Sequence, residues 1–201
     1  MRIRTHTNPL NYHTRLEPLD FSRIFSEYAG KLDLEIGFGR GRFMRLYASQ
    51  HPQRHIVGVE VRKQIVDVLQ QRVHDLGLKN VHLIHSQGQI VLEDVIPDRS
   101  LERVFIFHPD PWMKKRHHKR RIVNDRLLTA LAKKMAPDGR VYISTDVSQL
   151  WESMTDAFAE RRDFVPCEDT AFWQQYYDTH WDLFCRRVNR PSDMGCYRYA
   201  I

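Results

Sequence analysis

Residues 32–41, LDLEIGFGRG, join a short strand-forming run to three alternate glycines. The run from Leu32 to Ile36 predicts a strand, and the glycines after it predict a tight turn that leads into a helix over residues 42–50. A strand, a glycine turn and a helix make the first half of a βαβ unit. The third glycine, Gly41, comes one residue earlier than a G-x-G-x-x-G dinucleotide fingerprint requires, which disfavours a nicotinamide-dependent dehydrogenase.

Strand and helix patterns alternate along the rest of the chain, which predicts an α/β, doubly wound, Rossmann-like fold. We expect a seven-stranded, mostly parallel sheet with one antiparallel strand near the C-terminus. Residues 31–201 would form a single domain, preceded over residues 1–30 by an irregular arm and a short helix. Further strands are predicted over 55–61, 80–85, from 104, 140–144, 163–166 and 195–201, and helices over 21–28, 63–76, 124–135, 148–161 and from 179.

The stretch VFIFHPDPWMKKRHHKRR, over residues 104–121, changes from an apolar strand to a cationic segment at the two prolines that flank Asp110. Six of its last eight residues are Lys or Arg, and the remaining 25 Lys and Arg of the chain balance its 25 Asp and Glu. Such a run predicts binding to a phosphate backbone, although a solvated basic loop or a sorting signal would look the same. Asp110 comes just past a strand, where open parallel sheets place their ligands.

Length and composition narrow the class of protein. A chain of 201 residues, 42% hydrophobic and 28% charged, suits one soluble domain. The pI near 9.3 with clustered charge favours a nucleic-acid partner over a small acidic metabolite. No run is long and apolar enough for a membrane span, and the first residues lack the apolar core of a signal peptide, so we expect a cytoplasmic protein. The three cysteines form no CxxC pair and the histidines no second cluster, so no metal site is expected.

Polar residues at the ends of the predicted strands are candidate ligands. Glu60 follows the glycine loop by about twenty residues, where a carboxylate can accept hydrogen bonds from both ribose hydroxyls of an adenosine. Gln87 follows the next strand and could contact an adenine edge, although a polar turn is an equal possibility. Asp110 and Asp146 would end neighbouring strands, either as substrate contacts or as helix caps. Thr179 and Asp182 have the spacing of a capping box.

Together these motifs resemble the bacterial tRNA (guanine-N7)-methyltransferases over nearly the whole chain. The glycine loop preceded by Glu35 resembles that of S-adenosyl-L-methionine-dependent methyltransferases in general. The more specific likeness lies in Pro109-Asp110-Pro111-Trp112 with its basic tail, in Thr145-Asp146, in Thr179-x-x-Asp182 and in Arg4-x-His6-x-Asn8-Pro9-Leu10. The resemblance implies a methyltransferase fold and transfer of a methyl group from S-adenosyl-L-methionine to N7 of a guanosine in the tRNA variable loop, usually position 46.

The resemblance also implies a role for each matching residue. Asp110 would be the catalytic acid beside cofactor and guanine, and no metal would take part. The cofactor would contact Glu35, Gly37, Gly39, Gly41, Glu60, Gln87 and Asp110. The substrate would contact Lys114, Asp146, Thr179 and Asp182, and the tRNA backbone Lys115, Arg116, Lys119, Arg120 and Arg121. The chain departs from the family at Gln87 (usually Asp or Asn), at His108 (usually Phe) and at Asp182 (usually Glu).

Two other classes of function remain open on the sequence, as does the choice between a monomer and a homodimer. A methyltransferase acting on a small molecule would bind its substrate almost independently of salt, whereas binding to tRNA weakens steeply as salt rises. A non-catalytic RNA-binding relative, altered at Gln87 and Asp182, would bind RNA without binding the cofactor. For N7 methylation itself no general base is needed, because N7 of guanine already carries an in-plane lone pair.

Overall fold

The strands form one seven-stranded sheet in a computed structural model that describes residues 8–201. Arg4 and His6 of the amino-terminal motif lie outside the described residues. The strands are β1 (Leu32–Ile36), β2 (Ile56–Glu60), β3 (Val81–His85), β4 (Leu101–Phe107), β5 (Met135–Thr145), β6 (Phe164–Cys167) and β7 (Asp193–Tyr199). The helices are α1 (Phe21–Ile24), α2 (Arg42–Gln50), α3 (Lys63–Asp75), α4 (Gly88–Asp94), α5 (Asp125–Lys134), α6 (Ser148–Ala159), α7 (Thr170–Gln175) and α8 (His180–Arg187).

The strand order is β3-β2-β1-β4-β5-β7-β6, with β1 to β5 parallel and β7 antiparallel to both of its neighbours. The predicted fold class and the single antiparallel strand are therefore confirmed. The order reverses between β1 and β4. In open α/β sheets such a reversal leaves a crevice at the carboxyl ends of the strands, because the connections on either side leave toward opposite faces.

The side chains of β4 alternate between two hydrophobic clusters, as the two-residue period of a strand requires. On β4, Val104 and Ile106 belong to one cluster, while Phe105 and Phe107 belong to the other. The second cluster is aromatic. Phe105 stacks on Phe172 of α7 with ring centroids 5.5 Å apart, so the sheet and the segment before α8 share one core.

Several predicted elements differ from the structure in extent. The helix expected over residues 21–28 ends at Ile24, because Phe25 adopts an extended conformation while its ring still stacks on Phe21. Helices α4 and α7 were not predicted. The first five residues of α4 are all buried, so it shows no amphipathic stripe that a periodicity could reveal. The basic segment, residues 114–121, contains a 3₁₀ helix, Lys115–Arg120, rather than an irregular loop.

We expect Asn80→Ala to lower the free energy of unfolding by about 2 kcal/mol, because the change removes a buried donor from several carbonyl groups. Asn80 Nδ2 donates to the carbonyl oxygens of Ala48, His51 and Arg54 at 3.0, 3.0 and 2.9 Å, and so holds the end of α2 against the start of β3. Urea unfolding followed by circular dichroism measures the change.

The neighbouring Lys79→Ala is the matched control for Asn80→Ala, because Lys79 is exposed. It should change the free energy of unfolding by no more than about 0.5 kcal/mol. An equal effect of the two substitutions would contradict the structural role assigned to the Asn80 amide.

Candidate active site

The turn after β1 is built from glycines that the backbone requires. Gly37, Gly39 and Gly41 have φ of 79°, 51° and 66°, in the left-handed region that residues with a Cβ rarely adopt. A Cβ on Gly41 would also lie 2.4 Å from the side chain of Leu69, so this glycine lets α2 pack against α3. At Gly37 no atom lies within 4 Å of the position of a Cβ, so a ligand can approach the backbone closely there.

An open cleft lies at the reversal of strand order, where open α/β sheets bind their ligands. It brings together residues that follow four different strands. Its lining includes Gly37, Glu60, Ser86, Gly88, His108 and Asp110. Of the predicted cofactor residues, Gly37, Glu60 and Asp110 therefore share one cavity. The lining does not include Glu35, Gly39, Gly41 or Gln87.

Glu35, on β1 beneath the glycine turn, is a buried carboxyl group with an unmet hydrogen-bonding requirement. Its Oε2 atom has no hydrogen-bond partner within residues 8–201. Burial, and then the nearby negative charge of Glu60, raise the pKa of Glu35 to about 8. A buried acceptor in this state is suited to a ligand that brings a positive charge or a donor, so the residues present fit a cationic group near Glu35, which directly precedes the cleft residues Ile36 and Gly37.

Glu60, at the end of β2, accepts four hydrogen bonds. Arg62 N and Nε donate to Oε1 at 3.1 and 2.9 Å, while Arg62 Nη2 and Gly39 N donate to Oε2 at 2.8 and 3.2 Å. A carboxylate has about four lone-pair positions. The predicted ribose ligand is thus fully occupied by groups of its own chain, and Arg62, which the sequence reasoning missed, is its main partner.

The segment before α1 reaches the far end of the cleft. Gln87 Nε2 donates to the carbonyl oxygen of Tyr12 at 3.2 Å, and the Tyr12 hydroxyl donates to the carbonyl oxygen of Val61. Pro9 lines the cleft at the start of a 3₁₀ helix, Pro9–Asn11. This part of the predicted irregular arm therefore has a defined structure over the proposed adenine end of the site.

Asp146, which follows β5, draws three distant segments together. Its side chain is only 5% exposed, and it accepts hydrogen bonds from Trp181 Nε1 at 2.9 Å and from Arg190 Nη1 at 2.7 Å. His108 Nδ1 lies 3.3 Å away. Burial by itself would raise the pKa of Asp146, but the hydrogen bonds from Arg190 and Trp181 outweigh it, and the pKa lies below its ordinary value. Asp146 is therefore a buried anion.

The departure at His108 is accommodated by a hydrogen-bonded chain. His108 Nε2 lies 2.8 Å from the Tyr177 hydroxyl, which in turn donates to Ser144 Oγ at 2.9 Å. Burial lowers the pKa of His108 although the nearby Asp146 opposes the shift. The backbone at His108 is also unusual, with φ of 46°, and Trp112 has φ of 45°. Such conformations are costly for residues other than glycine and are concentrated at functional sites.

Thr179 and Asp182 begin α8 and are both buried. Thr179 Oγ1 accepts a hydrogen bond from Asp182 N at 2.9 Å, so the predicted cap is confirmed. The carboxylate of Asp182 was expected to reach back toward the start of the helix, but it pairs with Arg186 Nε at 2.7 Å. The segment is therefore positioned close to Asp146, through Trp181. The buried Oδ2 of Asp182 has this ion pair but no hydrogen bond within residues 8–201.

The basic segment, residues 114–121, presents most of its cations to solvent. Lys114, at the N-cap of the 3₁₀ helix, and the side chains of Lys115, Arg116 and Lys119 are exposed. Arg120 lies over the ring of Trp112, 4.9 Å from its centroid, and both residues line the cleft. The segment thus runs directly from the cleft to the surface.

Arg121 differs from the other cations of the basic segment. It is 6% exposed, and its guanidinium donates to the carbonyl oxygens of Pro111 at 3.0 Å and Gln149 at 3.5 Å. The prediction that it contacts the tRNA backbone does not fit this conformation, because burial keeps the side chain from a phosphate. Arg121 instead fixes the end of the basic segment against the start of α6.

Among the functional residues that sequence reasoning missed, only one had a local signal. Trp181 lies inside the recognised Thr179-x-x-Asp182 motif, whereas Arg62, Arg190 and Tyr12 belong to no motif. Residues 8–201 contain no group of three or more His, Cys, Asp or Glu side chains that could hold a metal ion. Within that same range, no helix is both long and apolar enough to cross a membrane.

Comparison with known proteins identifies close relatives. The model of a family described as putative methyltransferase matches residues 29–194. A tRNA (guanine-N(7)-)-methyltransferase of Synechocystis sp. strain PCC 6803 is 35% identical over 95% of this chain and 94% of its own length. The enzyme of the same name from Synechococcus sp. strain JA-3-3Ab is 38% identical over 100% of this chain and 85% of its own length.

Solved structures with a similar fold are methyltransferases. The aminoglycoside resistance methyltransferase NpmB1 gives a TM-score of 0.62 at 14% identity, covering 90% of this chain and 92% of that one. The 16S rRNA methyltransferase KamB gives 0.62 at 14% identity, covering 92% and 96%. A putative methyltransferase from Streptococcus mutans, in complex with SAH, gives 0.55 at 12% identity, covering 89% and 92%. At these identities the likeness shows the fold alone.

Replacing Glu35 by Gln should change how stability depends on pH. The carboxyl ionises near its ordinary pKa of 4.5 in the unfolded chain but only near about 8 in the folded protein. Between these values the unfolded state releases a proton that the folded state keeps, so the wild type should lose up to about 1.4 kcal/mol per pH unit as pH rises. Glu35→Gln lacks this loss, and its stability relative to the wild type should rise until about pH 8.

Urea unfolding of the cofactor-free proteins, at intervals from about pH 5 to about pH 9, measures this difference. A constant offset between the two proteins is compatible with the assignment, since an amide in the same place has its own hydrogen-bonding cost. Parallel pH profiles would show that Glu35 ionises alike in the folded and unfolded states.

Proposed function

Since the chain belongs to the family of tRNA (guanine-N(7)-)-methyltransferases, we propose that it methylates N7 of a guanosine in the variable loop of tRNA, at position 46. Its methyl donor is S-adenosyl-L-methionine. The observation that carries the proposal is the continuity of one rim of the sheet. The cleft at the reversal of strand order, Asp110 in its lining and the exposed cations of the basic segment lie along this rim, and Asp110 and the basic segment are only a few residues apart in the chain.

The residues around the cleft supply what this cofactor requires. The glycine turn gives the cofactor's amino-acid end access to the backbone, and the buried Glu35 carboxyl can exchange its proton for the charge of an ammonium group. Glu60 can accept hydrogen bonds from the ribose hydroxyls once the Arg62 guanidinium moves away from the Glu60 oxygens. Gln87, between the cleft residues Ser86 and Gly88, would contact the adenine edge. When bound, the cofactor supplies an electrophilic methyl group on a sulfonium centre.

The chain's own contribution to the reaction is positioning and electrostatics. N7 of guanine needs no deprotonation, so the buried His108 is not required as a base. The site must hold N7 in line with the methyl group at near-attack distance. Positive charge moves onto the guanine ring during transfer, and the carboxylates of Asp110 and Asp146, at the ends of adjacent strands, would stabilise it. Asp146 is already held ionised for this role.

The basic segment would hold the tRNA backbone. Lys114, Lys115, Arg116 and Lys119 extend from the same rim as Asp110, so phosphates bound there would bring the variable loop over the cleft. Arg121 contributes by keeping the segment in place rather than by touching RNA. A substrate of this kind also places the protein in the cytoplasm, where tRNA is modified.

The direct test is transfer of labelled methyl from S-adenosyl-L-methionine to an unmodified tRNA transcript, followed by strand cleavage at N7-methylguanosine. Label at position 46 is the expected result. Label at another guanosine would contradict the assigned position but would still support N7 methylation of tRNA. Binding of S-adenosylhomocysteine by calorimetry without any transfer to tRNA would favour a different substrate, such as a small molecule.

Replacing Lys114, Arg116 and Lys119 together by Ala should weaken tRNA binding and flatten its salt dependence. Each lost phosphate contact lowers the slope of log affinity against log salt by about 0.7 to 0.9, so the triple variant should lose about two to three units of slope. Fluorescence anisotropy with labelled tRNA, from about 50 to about 300 mM potassium chloride, measures it.

The matched control for this triple variant replaces the exposed Lys79, Lys133 and Arg162 by Ala. These residues precede β3, β5 and β6, at the amino ends of the strands, whereas the cleft lies at the carboxyl ends. The control removes the same charge and should leave the slope nearly unchanged. If the two triple variants behave alike, the basic segment acts only through net charge and is not the RNA contact.

A further inference from the structure

The outward face of α8 carries large apolar side chains that the fold does not cover. Trp181, Phe184 and Val188 are 44%, 42% and 51% exposed, and their spacing of three and four residues places them on one side of the helix. The rings of Trp181 and Phe184 have centroids 5.0 Å apart and are tilted by 38°. We call these two residues the α8 aromatic pair. Single exposed apolar residues are common on protein surfaces, but a contiguous set beside a site indicates a binding surface.

The α8 aromatic pair is fixed to the candidate active site through Asp146. The indole Nε1 of Trp181 donates to Asp146 Oδ1 at 2.9 Å, and the carboxylate is buried. The same carboxylate lies 3.3 Å from His108, two residues before Asp110. One edge of the indole is therefore held in place while much of the ring remains in solvent. A ring held in this way has little conformational freedom to lose when it stacks on a partner.

The charge around the α8 aromatic pair indicates the kind of partner. Arg186, Arg187 and Arg190, on α8 and just after it, are exposed. Arg186 and Arg190 each use one nitrogen in an ion pair, with Asp182 and Asp146, and their other donors remain available. The basic segment also ends near Asp146, since Arg121 donates to the carbonyl oxygen of Gln149. A second copy of this chain would bring like charges together. A single-stranded part of an RNA offers both phosphates for the arginines and flat bases for the rings.

We propose that the α8 aromatic pair stacks on a nucleobase next to the guanosine that enters the cleft, and that Arg187 and Arg190 bind the adjoining phosphates. This rests on the proposed function, because it takes RNA as the substrate. It adds a sequence-tolerant contact, since every base has a face on which an aromatic ring can stack. The contact would keep the nucleotides beside the target unstacked and so present N7 to the cofactor.

The test compares Trp181→Ala, Trp181→Phe and Phe184→Ala with the wild type and with Leu76→Ala. Leu76 is 56% exposed at the end of α3 and serves as the matched loss of exposed apolar surface. Binding of an unmodified tRNA transcript is measured by anisotropy in the presence of S-adenosylhomocysteine. Binding of S-adenosylhomocysteine alone is measured by calorimetry, and sedimentation velocity gives the mass of each free protein.

Trp181→Ala should weaken tRNA binding by about fivefold or more, as expected for the loss of one stacked base, with the affinity for S-adenosylhomocysteine unchanged. Phe184→Ala should weaken tRNA binding by a smaller factor. Trp181→Phe keeps a ring but loses the donor to Asp146, and it should stay within about threefold of the wild type. Leu76→Ala should bind tRNA as the wild type does.

Four results would overturn the inference, the last of them together with the proposed function. If Trp181→Phe is as weak as Trp181→Ala, the indole serves only to hold Asp146. If the wild type is a dimer and Trp181→Ala a monomer, the face joins two copies of the chain. If Trp181→Ala binds tRNA normally while the wild type methylates it, the inference falls and the proposed function stands. A wild type that neither binds nor methylates tRNA would remove both.

Discussion

The reversal of strand order between β1 and β4 is the constraint on which the rest of this structure depends. The connections on either side of this reversal leave the sheet toward opposite faces. The crevice that results lets residues from the ends of four strands line one cavity. The glycine turn after β1 lies beside this crevice, and Gly37 lines it. The left-handed φ of Gly37, Gly39 and Gly41 lets α2 start without filling it.

Burying carboxyl groups at this rim is unfavourable unless they are paired or protonated, and the chain stabilises three of them in different ways. Glu35 stays protonated near neutral pH because burial opposes its charge. Glu60 accepts hydrogen bonds on both of its oxygens, mainly from Arg62. Asp146 is ionised and shared between Trp181 and Arg190. Each arrangement leaves a group that a ligand can replace, and this suits a site that must bind a cationic cofactor and then a base that gains positive charge.

The same rim carries the residues proposed for methyl transfer and those proposed to bind RNA. His108 and Trp112, both in strained backbone conformations, flank the Pro109–Pro111 turn that turns the chain from the buried β4 to the exposed basic segment. On the other side of Asp146, α8 offers aromatic rings beside arginines. If the proposed roles hold, substrate binding and methyl transfer are connected through the few hydrogen bonds around Asp146.

The sequence by itself determined where the strands and most helices follow one another along the chain, and where the glycine turn and the basic segment lie. These features depend on local periodicity, backbone preference and charge. Tertiary structure alone decided the partners of the site. Asp146 meets Trp181 and Arg190 across 35 and 44 residues, and Gln87 meets Tyr12 across 75. Helix α4 and the burial of Arg121 were likewise invisible, since neither leaves a periodic pattern. Contacts between distant residues arise from how whole elements pack, which no local pattern of residues encodes.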